Sequence, residues 1–358
     1  MSLMFQSKVL SDQLIHRRGM TIRYSKKEWL FVMYSLVALL AISCYLITVG
    51  SFPLTFEQLF SVLFHTGGDQ AIAERIAIAE RIVWNVRLPR IVTAIFVGMA
   101  LGVSGSIFQS ISKNALGSPD IIGFTTGAAS GALIQIIVFQ NSAQAVMISA
   151  LIGGMLTAGT VYFLSRKNGV VGGYRLILIG IGIGAILSAF NSLMLVKGNL
   201  DQAIMANLWL AGSLNARSWG HALPVMLDVI LIVPIIIVKA RTLHLLEMGD
   251  EMASQIGVCV EKERVVMTFL SVALAALATG AAGPISFIAL AAPQLVTRLL
   301  RVGHIPVAAS AVMGATLLVI ADLVSQIKPF SINLPIGQLT SLVGGVYLLW
   351  LLTRTKNF

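Results

Sequence analysis

The sequence predicts an all-α polytopic membrane protein of about ten transmembrane helices. Of 358 residues, 57% are hydrophobic and only 11% charged, and the mean hydropathy is +0.88. Water cannot solvate such a chain, and a hydrocarbon core admits only segments whose backbone groups are satisfied internally. At about 20 residues per span, the apolar runs divide into helices at 29–50, 88–110, 120–139, 144–165, 174–196, 219–238, 265–282, 285–300, 306–325 and 335–353. Residues 1–28 read as a basic tail and residues 29–358 as a single transmembrane domain. No second, polar domain fits.

The first span follows basic residues, as a secretory signal does. Its apolar run continues through Ile47 without a small-residue cleavage site, so a retained helix is expected. An even number of spans puts both termini on one side. That side then holds 18 of the 25 Lys and Arg residues and the other holds 7. Basic residues stay in the cytoplasm during insertion, so both ends are expected there. The net charge of +10 follows from this retention and from attraction to anionic membrane lipid, and needs no nucleic acid. Cys44 and Cys259 fall on opposite sides and cannot pair.

Three stretches are not ordinary spans. On the outer side, 51–90 is long enough to hold a short surface helix, and residues 71–82 are amphipathic with mixed charge. A second outer stretch, 197–219, carries Trp209, Ala211-Gly212-Ser213 and Trp219, which fits a re-entrant or interfacial helix with aromatic anchors. The third, inner segment, about 239–264, is too charged to insert and contains Gly249-Asp250-Glu251.

Catalytic motifs are nearly absent. Gly102-Val103-Ser104-Gly105 has the form found in intramembrane serine proteases, but the histidines (His16, His65, His221, His244 and His304) lie in tails, loops or span ends. A small-residue packing face is the simpler reading, as it is for Gly98, Gly102 and Gly105 or Gly180, Gly182 and Gly184. Without a Gly-Lys dipeptide the chain has no Gly-x-x-x-x-Gly-Lys loop for ATP phosphates, and no His, Cys or carboxylate cluster has metal-ligand spacing. Apart from Asp120 at a span edge, the carboxylates within spans are Asp228 and Asp322. Such groups demand a partner or water, and an ion-coupled secondary transporter would use them.

Several motifs in order then carry a family resemblance over nearly the whole chain. They are Arg87-Leu88-Pro89-Arg90, Gly98-Met99-Ala100-Leu101-Gly102-Val103-Ser104-Gly105, Asn114-Ala115-Leu116-Gly117-Ser118-Pro119-Asp120, Leu246-Glu247-Met248-Gly249-Asp250-Glu251-Met252-Ala253, Gly283-Pro284-Ile285-Ser286-Phe287, Ala321-Asp322 and Leu334-Pro335-Ile336-Gly337. Together they resemble the iron-siderophore and cobalamin ABC importer permeases. Ile122-Gly123-Phe124-Thr125-Thr126-Gly127-Ala128 and Pro293-Gln294 are most similar to ferric-enterobactin permease subunits. Many family members have His where this chain has Gln294, and Pro where it has Ala115.

The resemblance implies a ten-helix, cobalamin-permease-like fold built as an inverted repeat, with the substrate path between two permease subunits. It implies a ferric siderophore, a catecholate, as cargo; cobalamin or haem is the alternative within the fold. Its implied partners are ATPase subunits, which hold ATP and magnesium, a periplasmic siderophore-binding protein, and a second, related permease chain forming a heterodimer. No cofactor is implied for this chain. Arg87 and Arg90 match arginines that dock the binding protein, with lipid-headgroup anchoring as the alternative. A third such arginine is Gln326 here, which leaves Lys328 to replace it. Asn114, Ala115 and Leu116 match an inner gate, or form only a tight turn. Gly249, Asp250, Glu251, Ala253 and Gly257 match the helices that couple to the ATPase, or form a solvated connection.

Overall fold

A computed structural model describes residues 12–17, 20–49, 78–140, 142–167, 170–171, 173–327 and 334–354. Lys328 and residues 71–77 of the amphipathic stretch lie outside them. A two-stranded antiparallel ribbon, β1 (Asp12–Arg17) and β2 (Met20–Ser25), leads into α1 (Lys26–Thr48). The ribbon is an addition to the all-helical expectation, and it precedes the first apolar helix.

Among the described residues, the ten expected spans correspond to ten helices, of which seven are long and apolar enough to cross a membrane and three are shorter. After α1 comes α2 (Leu88–Ser112), preceded by a π-helical turn at Val83–Arg87. With that turn the helix is unbroken from Ile78 to Ser112. Its 35 residues extend about 52 Å at the α-helical rise, well beyond the hydrocarbon core. Residues 78–82 therefore continue the span, where a separate surface helix was expected.

The other spans are α3 (Phe124–Leu133, extended as a π-helix through Phe139), α4 (Ala143–Ser165) and α5 (Gly173–Lys197). Between α4 and α5 lies a small hairpin, β3 (Arg166–Lys167) and β4 (Val170–Val171). The short α6 (Leu200–Leu210) fills the second outer stretch, and a capping box of Asn199 and Gln202 fixes its start. Then come α7 (Trp219–Val238), α8 (Ala240–Met248), α9 (Asp250–Gln255), α10 (Val260–Ala282), α11 (Ile288–Leu300), α12 (Val307–Ile327) and α13 (Ile336–Arg354).

The core forms around α2, which packs on α12, α10, α11 and α7. Glycine permits this closeness: a Cβ on Gly98 would lie 2.5 Å from the Gly314 carbonyl oxygen, and one on Gly102 2.3 Å from that of Ser310. Van der Waals contact between backbones holds these helices, as lipid offers no hydrophobic drive between them. Of the second glycine group, Gly180 and Gly184 pack against Ile122 and Gly123, whereas Gly182 faces open space.

The helix expected at 285–300 begins only at Ile288. Residues 283–286 are non-helical, and their backbone is closely flanked by protein: a Cβ on Gly283 would lie 2.3 Å from the Trp209 carbonyl oxygen, and one on Gly212 or Gly337 would lie 2.4 or 2.7 Å from that of Pro284. Irregular backbone at membrane depth is tolerated only in such company.

Candidate functional site

At one end of the bundle, α1, α2, α6 and α12 frame a pocket of about 1280 Å³. Its cations are Arg87, Arg90 and Arg217, with Asn215, Ser325 and Gln326 as further polar lining. Arg87 is buried and donates to the Ile47 carbonyl at the end of α1. The Arg90 guanidinium straddles the Asp322 carboxylate, with Nη2 at 2.7 Å and Nε at 3.0 Å from Oδ1, and its Nη1 reaches Asn215 Oδ1 at 2.7 Å. Asp322 is fully buried and also accepts from Gln326 Nε2 at 2.9 Å. The partner that an intramembrane carboxylate requires is thus Arg90, at a distance of 232 residues in the chain. Nothing in local spacing announces that pair.

Arg217 donates through Nε to Ser213 O at 2.9 Å, and burial pushes its pKa down to about 10. It remains a cation at neutral pH. Asp228, the other carboxylate within a span, is buried with one oxygen unpartnered. Trp219 Nε1 donates to Trp84 O at 2.9 Å, so this expected anchor ties α7 to α2, and Trp209 is buried in a core cluster.

At the other end, α2 stops at Lys113, whose left-handed backbone (φ 51°) caps the helix. The following Asn114 accepts the Leu116 N–H on its side chain at 2.9 Å, a tight local turn. Gln294 on α11 donates to the Ala115 carbonyl. Residues 114–116 therefore form a defined loop at the foot of α2, held from α11.

The inner segment is an elbow, α8–Gly249–α9. Gly249 has φ 125° and ψ 151°, a region essentially closed to residues with a Cβ, and a Cβ there would meet no atom within 4 Å. The constraint is conformational alone. Past α9, Gly257 (φ 90°) closes a Schellman motif, in which Val258 N–H donates to Ala253 O and Gly257 N–H to Ser254 O. Ala253 is fully buried against the bundle, while Met248, Met252 and Ile256 are exposed. An apolar face left outward on a short, stiff elbow is suited to a protein partner.

Asp250 meets Lys113 at 2.9 Å and Arg264 at 2.8 Å. Burial acts to raise its pKa but is outweighed by these two cations, and the carboxyl lies below its usual range. Glu247 accepts from Ser110 at 2.6 Å, and burial raises its pKa. Arg264, buried on α10, also donates to Val171 O at 2.6 Å and pairs with Glu261 at 3.2 Å. The sequence reading included the Glu247 motif and an inner segment ending at Arg264, but it assigned no contact to Arg264, nor to Ser110 and Lys113, which lie 137 positions from their partners.

The protease reading is overturned by the surroundings of its serine. Ser104 Oγ lies 2.8 Å from Ser271 Oγ in a buried pair, and a Cβ on Gly105 would lie 1.7 Å from the Ala289 carbonyl oxygen. This is helix packing with no base in contact. Both cysteines are free.

The chain matches the FecCD transport family over residues 36–354. It is 42% identical over 308 residues to the ferric enterobactin transport system permease protein FepG of Escherichia coli (strain K12), covering 86% of this chain and 91% of that one. It is 36% identical over 282 residues to the achromobactin transport system permease protein CbrC of Dickeya dadantii (strain 3937), covering 78% and 80%. To the hemin transport system permease protein HmuU of Yersinia pestis it is 34% identical over 284 residues, covering 77% and 84%. A solved metal-chelate type ABC transporter in an inward-facing conformation superposes with a TM-score of 0.78 at 26% identity, covering 91% of this chain and 99% of that one. With its helix order, its elbow and this match, the chain belongs to the FecCD transport family, as a multi-pass membrane permease and a transport subunit rather than an enzyme.

Proposed function

We propose that the chain is the permease subunit of an ATP-binding cassette importer that carries a ferric siderophore, a catecholate of the enterobactin type, across the bacterial cytoplasmic membrane. The observation that carries the importer reading is the elbow: a glycine-hinged pair of short helices beyond the spans, with Ala253 seated inward and Met248, Met252 and Ile256 outward. The cargo rests on the 42% identity to the enterobactin permease protein.

On this reading the basic-rich side is cytoplasmic and both termini lie there. A substrate-loaded binding protein docks on the outer side through Arg87, Arg90 and Lys328. Gly249, Asp250, Glu251, Ala253 and Gly257 engage the ATPase, which holds ATP and magnesium. Closure of the ATPase pair moves the elbow as a rigid body, and Asn114, Ala115 and Leu116 open or close the inner mouth. A second, related permease chain completes the path, and iron passes as cargo. An ion-coupled transporter would draw on Asp322 and Asp228, and of these Asp322 is already paired with Arg90.

The test is iron uptake in a deletion strain complemented with this chain and offered single siderophores. Growth on ferric enterobactin that depends on the chain supports the reading. Growth on haem or cobalamin alone would reassign the cargo, and uptake that survives loss of ATP but not of the proton gradient would sink the importer.

A further inference from the structure

Two contacts tie the elbow to α2, and they straddle its glycine. Ser110 donates to Glu247, the residue before Met248 and Gly249, and Lys113 pairs with Asp250 just after it. The two anchor points are three residues apart, Ser110 in the last turn of α2 and Lys113 at its cap. Resting on the importer reading above, we propose that Ser110–Glu247 and Lys113–Asp250 are the link through which elbow movement reaches the inner gate. Ser110 and Lys113 act as positioning residues.

One contact would leave the foot of α2 free to swivel about it. Two contacts, one on each arm of the elbow, fix its rotation as well as its place. Ser110 is buried and Glu247 largely so, which makes that contact the stable one. Lys113 and Asp250 are each 40% exposed, and an ion pair of that kind adds little to stability. A weak, directional contact is suited to being broken and remade through a transport cycle.

The placement of Lys113 gives the contact its consequence. It caps α2 in a left-handed conformation, its backbone N–H bonds to Gln109 and Ser110 carbonyls, and the gate loop begins at the next residue. A pull on its ammonium therefore turns the foot of the loop. The other oxygen of Asp250 is held by Arg264, which reaches Val171 O on β4 and Glu261 in the first turn of α10. Asp250 thus joins the gate to the base of α10, and the elbow cannot shift without loading both. Above the contacts α2 runs unbroken to Arg90 in the outer pocket, so the same lever reaches both faces.

The experiment is a double-mutant cycle in vesicles holding the permease pair, the ATPase and the binding protein, with iron-loaded enterobactin as the probe. Iron transported per ATP hydrolysed is measured for Lys113→Gln, Asp250→Asn, the double variant and Lys113→Arg, alongside the amount of ATPase that co-purifies. Lys113→Gln is expected to lower the ratio by about fivefold, the low end of ordinary coupling between sites, with ATPase binding unchanged. The double variant is expected to be no worse than Asp250→Asn, and Lys113→Arg to restore the ratio. An unchanged ratio in Lys113→Gln, or losses that multiply in the double variant, would overturn the link while leaving the importer reading in place. Failure of the unmutated chain to retain an ATPase or to transport the probe would overturn that reading, and the link with it.

Discussion

The side-chain amide of Gln294 donates a hydrogen bond to the carbonyl of Ala115, 179 residues away. These are two of the positions at which the chain departs from the permeases it resembles, where His and Pro are common. The structure brings the two departures into contact. A proline at 115 would leave the acceptor carbonyl intact, and a histidine ring also carries an N–H. The contact can therefore survive exchange of both residues.

Gln294→Leu removes the donor but also its buried, unpartnered Oε1. The Ala115 side is exposed, so its carbonyl finds water, and the net cost is expected to stay near 1 kcal/mol. Freed from α11, the loop should admit more solvent. Leu116→Cys in the Gln294→Leu background is expected to react faster with a thiol reagent in inside-out vesicles. Equal rates in both backgrounds would remove Gln294 from control of the loop.

The Arg90–Asp322 pair changes how a docking test must be built. Arg90→Glu would set a second carboxylate against fully buried Asp322, and breaking a buried pair costs about 3–5 kcal/mol. Lost uptake in that variant would report misfolding. The exchange Arg90→Glu with Asp322→Arg is expected to recover monodisperse protein on size-exclusion chromatography. Recovered fold with weak, salt-sensitive binding-protein association would assign Arg90 to docking. An exchange that fails to fold would show that the pair depends on more than charge.

The spans were legible because each apolar run is bounded by charge or turn residues, and lipid leaves such a run little choice but a helix. The helix start at Ile288 was not, since residues 285–292 carry no charge, Gly or Pro to mark a boundary; what stops the helix is close backbone packing from Gly212 and Gly337. Gly249 was legible as a turn from its neighbours. The Arg90–Asp322, Ser110–Glu247 and Lys113–Asp250 contacts were not, because each joins residues more than 130 positions apart. Side-chain pairing across helices leaves no periodic trace in one sequence.

Orientation can be read with a native residue. Cys259 is exposed beside α10 at the end bearing the elbow, and Cys44 is the other cysteine, on α1. In a Cys44→Ser chain, Cys259 is expected to resist an impermeant thiol reagent in intact spheroplasts and to react once they are permeabilised. Gln140→Cys, at the exposed connection between α3 and α4, is expected to react without permeabilisation. The reverse pattern would invert the topology.

The hinge of the elbow allows a sharper prediction than general sensitivity to bulk. Because a Cβ on Gly249 would touch nothing, the penalty is conformational, and Gly249→Ala should already do much of the harm of Gly249→Val, whose branched Cβ adds to it. The cost comes from φ 125°, at about 1–3 kcal/mol for a side-chain-bearing residue held there. The chain relieves it by reorienting α9, which takes Glu251, Met252 and Ile256 away from where a partner would meet them. Gly303, on the loop between α11 and α12, supplies the control: its Cβ would also meet open space, but its φ is not positive. Gly303→Ala is expected to transport normally. Glu251→Lys reverses a charge in the first turn of α9, where the helix dipole favours an anion, and is expected to uncouple without loss of expression. Binding-protein-stimulated ATP hydrolysis and iron uptake in reconstituted vesicles measure all four variants. Equal transport by Gly249→Ala and Gly303→Ala would separate the hinge conformation from coupling.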